Sequence, residues 1–341
     1  MLAALRRPMM SPWSETAAAL FAGLQPPLQR LFRTREPVLL AASSATGFAE
    51  AAIRNGVPRR LLVAGGGFFA EWLAGIGEAC GKEVVRARVP AGRAVEPDDL
   101  ERALTRVRVD AVALVHSETS TGALAPLEAL ARVVHERSDA LLLVDAVTSV
   151  GALPVEPDVW GLDFTFTGSQ KALALPPGLA LGVASPRLLE RARGLTDRGW
   201  YFDLLKYAEA ARTARPTQTP ALSLVYALER QLGRIEAEGG VEARWRRHRA
   251  MLERLERWVA ERGELAFLAP AGRRSWSVSA LRPPPRLGVG ALVRELARRG
   301  FAVTGGLGEL EHEVLRIGHM GDLTPAHLDA LLDELDGLLR V

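Results

Sequence analysis

The chain has 341 residues, 48% of them hydrophobic and 24% charged, with a net charge of +3. That length can bury a substantial core and reads as one large unit with a smaller one, while the near balance of acids and bases argues against bulk electrostatic binding of nucleic acid. The single cysteine, Cys80, excludes an intramolecular disulfide framework and a multi-cysteine metal site, and it suits a reduced, cytoplasmic compartment. No apolar run approaches a bilayer span, and Met1–Arg7 places its apolar residues ahead of its charges, unlike a signal peptide.

Residues 13–32 read as an amphipathic helix, followed by a short apolar strand at 38–41. Ser43-Ser44-Ala45-Thr46-Gly47 then opens a helix that runs to about Asn55 and stops at Gly56. Next come a strand at 61–64, the glycines 65–67, a helix to about Cys80 and a strand at 83–88. Pro97-Asp98-Asp99 starts a helix with acids suited to its N-terminal dipole. A strand at 111–115 ends at His116-Ser-Glu-Thr-Ser120-Thr-Gly122, and a helix over 127–137 leads to the strand that ends at Asp145. A further apolar run, Phe164-Thr-Phe-Thr167, ends in Gly168-Ser-Gln-Lys171.

From about Ala221 to Arg262 the pattern is one long or broken helix. Its basic run, Arg244-Trp-Arg-Arg-His-Arg249, reads as a solvated face because acids recur at Glu253, Glu256 and Glu261. The remainder suggests a strand near 276–279, a helix over 289–299, strands at 301–303 and 314–317, and a helix over 324–339. Alternating strands and helices predict a mostly parallel sheet with right-handed crossovers.

The branched and aromatic residues of 141–145 and 164–167 mark buried parallel strands, and function in such sheets collects at the strands' carboxyl ends. Asp145 and Lys171 both sit there. Lys171 precedes an apolar stretch, where a desolvated amine of lowered pKa suits Schiff-base chemistry. The helix start at Ser44–Thr46 is either a simple N-cap or an anion site. Gly65-Gly66-Gly67 resembles a dinucleotide turn, but the strand after it lacks the terminal acid that would hold a ribose. A phosphate-binding helix start, a lysine and a distant acid are the polar anchors that pyridoxal 5′-phosphate requires.

His116-Ser-Glu-Thr-Ser-Thr-Gly, Val144-Asp-Ala-Val-Thr-Ser-Val-Gly, Gly168-Ser-Gln-Lys-Ala-Leu, Tyr201-Phe-Asp-Leu-Leu-Lys-Tyr and Leu315-Arg-Ile-Gly occur in this order. Together they resemble the class V, fold-type I aminotransferases, in particular the alanine–glyoxylate and serine–glyoxylate group. The resemblance implies an α/β fold: a mostly parallel central sheet with helices on both faces, plus a smaller C-terminal α/β domain. It implies an N-terminal segment 1–15 packed with the small domain, a large cofactor-binding domain over 16–235, and a small domain over 236–341 that includes the linking helix.

The same resemblance assigns roles. Lys171 matches the Schiff-base lysine and proton-transfer base, and Asp145 the partner of the pyridine nitrogen. Ser44, Ala45 and Thr46 match the phosphate-cradling helix start, Gln170 a phosphate contact, and Ser120 a hydroxyl near the cofactor ring. Phe69 falls where an aromatic ring stacks on the cofactor. Thr219 resembles a threonine reaching the phosphate of the other subunit of a homodimer, and Arg316 the arginine that holds the substrate carboxylate.

The implied reaction is transamination between a small amino acid, serine or alanine, and a 2-oxo acid, glyoxylate or pyruvate. No metal, membrane or nucleic acid enters it. The alternatives are a class V lyase or desulfurase acting on cysteine, and a non-catalytic cofactor-binding protein. A desulfurase needs a mobile nucleophilic cysteine, a role that Cys80, at a helix end, does not suit. Two departures stand out: Ala45 replaces a common glycine of the phosphate loop, and the chain starts after the place of the family's Gly/Pro-rich opening segment.

Overall fold

A computed structural model describes residues 1–339. In chain order its elements are α1 (Leu2–Leu5), α2 (Glu15–Phe32), β1 (Val38–Ala41), α3 (Ala45–Gly56), β2 (Arg60–Gly65), α4 (Phe68–Ala79), β3 (Glu83–Arg88), α5 (Pro97–Arg106) and β4 (Ala111–Val115). There follow β5 (Ser117–Glu118), β6 (Ala123–Leu124), α6 (Leu127–Arg137), β7 (Leu141–Asp145), α7 (Pro157–Trp160), β8 (Phe164–Gly168), β9 (Ala180–Ala184), α8 (Pro186–Arg193) and α9 (Leu204–Thr213). The last are α10 (Leu222–Ala237), α11 (Val241–Arg262), β10 (Ala266–Phe267), β11 (Val278–Arg282), α12 (Val289–Arg298), β12 (Leu315–Gly318) and α13 (Pro325–Leu339).

Seven strands form the central sheet in the order β1-β9-β8-β7-β4-β2-β3. The pairs from β3 to β8 are parallel, whereas β9 runs antiparallel to both of its neighbours, β8 and β1. Successive side chains along a strand point to opposite faces. Accordingly Leu61, Val63, Leu141, Leu143, Phe164 and Phe166 pack with α3 and α4 on one face. Leu62, Ala64, Leu142 and Val144 pack with α2, α5, α6 and α10 on the other. Burial of each large aliphatic side chain contributes roughly 1.5–3 kcal/mol, so this two-sided core is what holds the strand ends in place.

A third core joins α11, α12 and α13 to the three-stranded sheet β10-β11-β12. The long helical stretch is broken, with α10 ending and α11 beginning around Gly239 and Gly240 at φ of 100° and 83°. Those left-handed values end a helix without the Cβ penalty another residue would incur.

Four expectations change. The antiparallel strand β9 went unpredicted because Ala180-Leu-Gly-Val-Ala is rich in Ala and Gly, residues of low strand propensity. Residues 301–303 are not a strand; only Thr304 pairs there, as a single bridge to Arg316.

The N-terminal segment packs on α10 of the large unit instead of the small domain. Arg7 lies over the Tyr226 ring at 4.2 Å and pairs with Glu229, and the Tyr226 hydroxyl donates to Pro8 O at 3.1 Å. Met1, Leu5 and Met10 cover the same core. The basic run of α11 is not uniformly solvated, because Arg244 and His248 are fully buried on its inner face.

Candidate active site

Parallel pairing places β7 beside β8, with Asp145 opposite Phe166, so the Asp145 carboxylate and the Lys171 turn emerge at one edge of the sheet. A cavity of about 160 Å³ opens there. Ser44, Ala45 and Thr46 at the start of α3 line it, with Phe69 of α4, Asp145, Gln170 and Lys171. Seven of the nine cofactor-binding residues expected from the sequence therefore share one cavity. The Ser44 side chain makes no capping hydrogen bond, which leaves the first turn of α3 open to an anion. Among the described residues no group of three or more His, Cys, Asp and Glu side chains is arranged to hold a metal ion.

Ser120 is not on the cavity wall; Ser117 and Thr119 are. The Ser120 hydroxyl is buried, donates to Glu118 Oε1 at 2.6 Å and accepts from Phe68 N at 3.0 Å. It braces the site from behind, its hydroxyl held by Glu118 and the Phe68 N–H in the turn that follows β5. Thr219 lies on a separate cleft with Tyr207, Gln218 and Pro220. The fold of one chain does not bring it to Lys171.

Arg316 projects from β12. Its Nε donates to Gly305 O at 2.7 Å and its Nη1 reaches Thr119 O at 3.4 Å. No described carboxylate forms a salt bridge with it, so most of its donor fork remains available. Of the two histidines flanking this strand, His312 is exposed, while His319 is buried and bonds to the Ser279 hydroxyl at 3.0 Å. Cys80 ends α4 away from the cavity, and burial raises its thiol pKa. That is the opposite of what a nucleophilic thiolate needs.

Sequence reasoning missed Glu118. This buried carboxylate accepts from Phe69 N at 3.1 Å and Ala70 N at 3.3 Å through Oε2, and from Ser120 N at 3.0 Å and Ser120 Oγ through Oε1. Burial raises its pKa, and these donors offset part of that rise. Glu118 thus ties the start of α4, which carries Phe69, to the turn whose Thr119 carbonyl meets Arg316. Gly67 admits the carboxylate, because a Cβ there would lie 2.3 Å from Glu118 Cγ.

The charges of the site influence one another. The Asp145 carboxylate opens to the cavity yet lies deep in the protein. Burial pushes its pKa up to about 7, with Glu118 adding to the rise and the Val147 N–H and Lys171 opposing it. Burial also lowers the Lys171 pKa; Arg316 lowers it further and Asp145 opposes the change. Arg316 is lowered by burial and partly restored by Glu118. A deep carboxylate without a cation against it, an amine inclined to lose its proton, an open helix start and a flat aromatic face can together hold a phosphorylated pyridine aldehyde.

An open α/β sheet with a lysine and an acid on neighbouring strand ends, and a small second sheet supplying an arginine, defines a fold-type I aminotransferase. The chain belongs to the class V aminotransferase family, whose profile matches residues 70–308. It is 30% identical to the serine–glyoxylate aminotransferase of Methylorubrum extorquens, over 94% of this chain and 84% of that one. It is 35% identical to a protein named as the small subunit of a soluble hydrogenase from Synechococcus sp., over 96% of this chain and 85% of that one. The structure of an alanine–glyoxylate aminotransferase from Nostoc sp. superposes with a TM-score of 0.93 at 30% identity, covering 99% of this chain and 91% of that one.

Proposed function

We propose that this aminotransferase uses pyridoxal 5′-phosphate to move an amino group from a small amino acid, serine or alanine, to a 2-oxo acid such as glyoxylate or pyruvate. The observation that carries the reading is the meeting of Lys171, Asp145 and the uncapped start of α3 in one cavity. When bound, the cofactor supplies an aldehyde that takes up an amine and a ring that accepts an electron pair.

Asp145 would hold the ring nitrogen; a pyridinium there supplies the cation that the deep carboxylate lacks. Ser44, Ala45, Thr46 and Gln170 would hold the phosphate, and Phe69 would lie against the ring face. Lys171 Nζ would hold the cofactor aldehyde and would serve as the base that takes the proton from the substrate α-carbon. Burial, with Arg316 nearby, lowers its proton affinity, which favours the neutral amine that such a transfer needs. Arg316 would hold the substrate carboxylate, which orients the α-carbon toward Lys171.

Thr219 would face the phosphate held by a second copy of the chain, making the working enzyme a homodimer with shared sites. The two half-reactions alternate on one site, giving ping-pong kinetics. A spectroscopic screen tests the reading. Protein loaded with the cofactor is mixed with single amino acids, then with single 2-oxo acids. Serine or alanine should bleach the visible band, and glyoxylate or pyruvate should restore it. A band that no amino acid changes would refute transamination.

A further inference from the structure

Behind the cavity lies a charged cluster that none of the roles above employs. Arg244 of α11 is fully buried. Its Nη1 donates to the carbonyl of Ala172, next to Lys171, at 2.6 Å. Its Nη2 donates to Asp322, and its Nε donates to Glu238 at 3.1 Å. Asp322 lies six residues beyond Arg316, in the loop that follows β12, and also takes Gln231 Nε2 at 2.7 Å and Arg234 Nη1 at 2.8 Å. One guanidinium therefore grips both the turn that carries the lysine and the loop that leaves the arginine strand.

A second contact joins the same two segments. Gly321, at φ of 75°, packs so closely on the lysine turn that an added Cβ would sit 3.1 Å from Ala174 Cβ and 3.3 Å from Lys171 O. Arg247, one turn along α11, donates to Gly321 O at 2.6 Å. Burying the Arg244 guanidinium is expensive unless its geometry is well satisfied. A hydrophobic hinge would join the two units at lower cost, so the ionic joint calls for a geometric role.

We propose that Arg244 is a positioning residue that sets the separation of Lys171 from Arg316, and through it the preference for a carboxylate one carbon from the reacting centre. The inference rests on the roles given above to Lys171 and Arg316. Guanidinium is suited to the task because its rigid fork reaches several acceptors in fixed directions, whereas an ammonium is a point charge on a flexible stem. Loosening the joint would let the two anchors drift, and a misplacement of about 1 Å can cost up to ~100-fold in a reaction that depends on alignment.

The test measures binding by calorimetry on the cofactor-loaded protein with two unreactive acids, lactate and 3-hydroxypropanoate. They differ only in placing the hydroxyl one or two carbons from the carboxylate. The variants are Arg244→Lys, which keeps the charge but loses the fork, and Gly321→Ala, which leaves every ion pair in place but presses the loop against Lys171. In both, lactate affinity should fall about tenfold and 3-hydroxypropanoate affinity less than about threefold, reversing or flattening the wild-type preference.

A merely structural role lowers the folded fraction, which cancels from the ratio of the two affinities. An unchanged ratio in folded variants overturns the inference while leaving the proposed reaction intact. Should Arg244→Lys fail to fold, the ratio in Gly321→Ala decides alone. If the parent protein binds neither acid and Arg316→Ala changes nothing, the reading of Arg316 itself is wrong and the inference falls with it.

Discussion

Asp145 and Lys171 line one cavity from neighbouring parallel strands, yet they form no salt bridge with each other. Each is shifted chiefly by burial, and toward its neutral form. A directly paired lysine and aspartate would be shifted the other way. The site is thus arranged for charges that a ligand brings, one at the acid and one at the helix start. Lys171→Ala should abolish the visible absorption of cofactor-loaded protein and lower turnover by on the order of 10³-fold or more, since an attachment point and a proton acceptor go together. Absorption spectra and single-turnover assays check this; retention of both band and turnover would remove Lys171 from the mechanism.

The Asp145 shift also predicts how the cofactor-free protein responds to pH. Its pKa rises from 3.8 to about 7 on folding, so the native state holds that proton more tightly than the unfolded chain does. The stabilisation is fully present below the unfolded pKa and is lost as pH rises through about 7. Asp145→Asn should remove this decline, worth on the order of a few kcal/mol at the high-pH end. Urea unfolding of both proteins at pH 5 and pH 8, without cofactor, makes the comparison. Parallel curves for the two would show that Asp145 titrates normally.

In the proposed reaction Arg316 would offer a substrate carboxylate a fork that no acid among the described residues occupies. Removing charge-assisted hydrogen bonds of that kind costs about 2–3 kcal/mol. Arg316→Ala should therefore lower kcat/KM for every carboxylate donor on the order of 10²-fold, by a similar factor for serine and for alanine. A loss confined to one donor would move Arg316 from carboxylate binding to side-chain selection.

How much of this was legible depended on how local each signal was. Strands β7 and β8 stood out because Leu, Val and Phe crowd into short runs, and their ends carried Asp145 and Lys171 with them. Strand β9 did not, since its Ala and Gly are ordered by neighbours on both sides rather than by their own preference. Glu118 sits in a polar stretch where an acid usually faces water. Only the fold brings to it the backbone of Phe69 and Ala70, about 50 residues earlier, so no spacing rule could have singled it out. Arg244 was hidden inside a basic run, where charge counting treats buried and solvated arginines alike. Ser120 was drawn to the cavity by its motif, but the turn after β5 directs its hydroxyl to Glu118 and leaves the wall to Ser117 and Thr119.

Glu118 makes a prediction of its own. Glu118→Gln replaces one acceptor oxygen with an amide donor that faces N–H groups already pointing inward. Each buried donor left without an acceptor costs about 1–3 kcal/mol. Scanning calorimetry should show Tm lowered by several degrees, on the scale of about 2–4 °C per kcal/mol for a large domain. The loaded variant should also bind substrate carboxylate more weakly, because the Thr119 carbonyl that meets Arg316 belongs to the same turn. An unchanged Tm would mean that the carboxylate is not the keystone of this turn.

The remote position of Thr219 makes the proposed homodimer testable. Within one chain it lines a cleft apart from the Lys171 cavity, so any contact it makes to a phosphate must be to one held by a second chain. Two inactive variants can reveal this. Lys171→Ala lacks the attachment point, and Thr219→Glu sets a carboxylate against the neighbour's phosphate. Unfolded together and refolded as an equal mixture, half of the dimers would be mixed. In each mixed dimer one site joins an intact Lys171 to an intact Thr219. Activity should recover to about a quarter of the wild-type value, while neither variant alone recovers. Sedimentation should report a dimer throughout. If Thr219→Glu is inactive and the mixture gains nothing, Thr219 serves the site of its own chain and the shared-site arrangement fails.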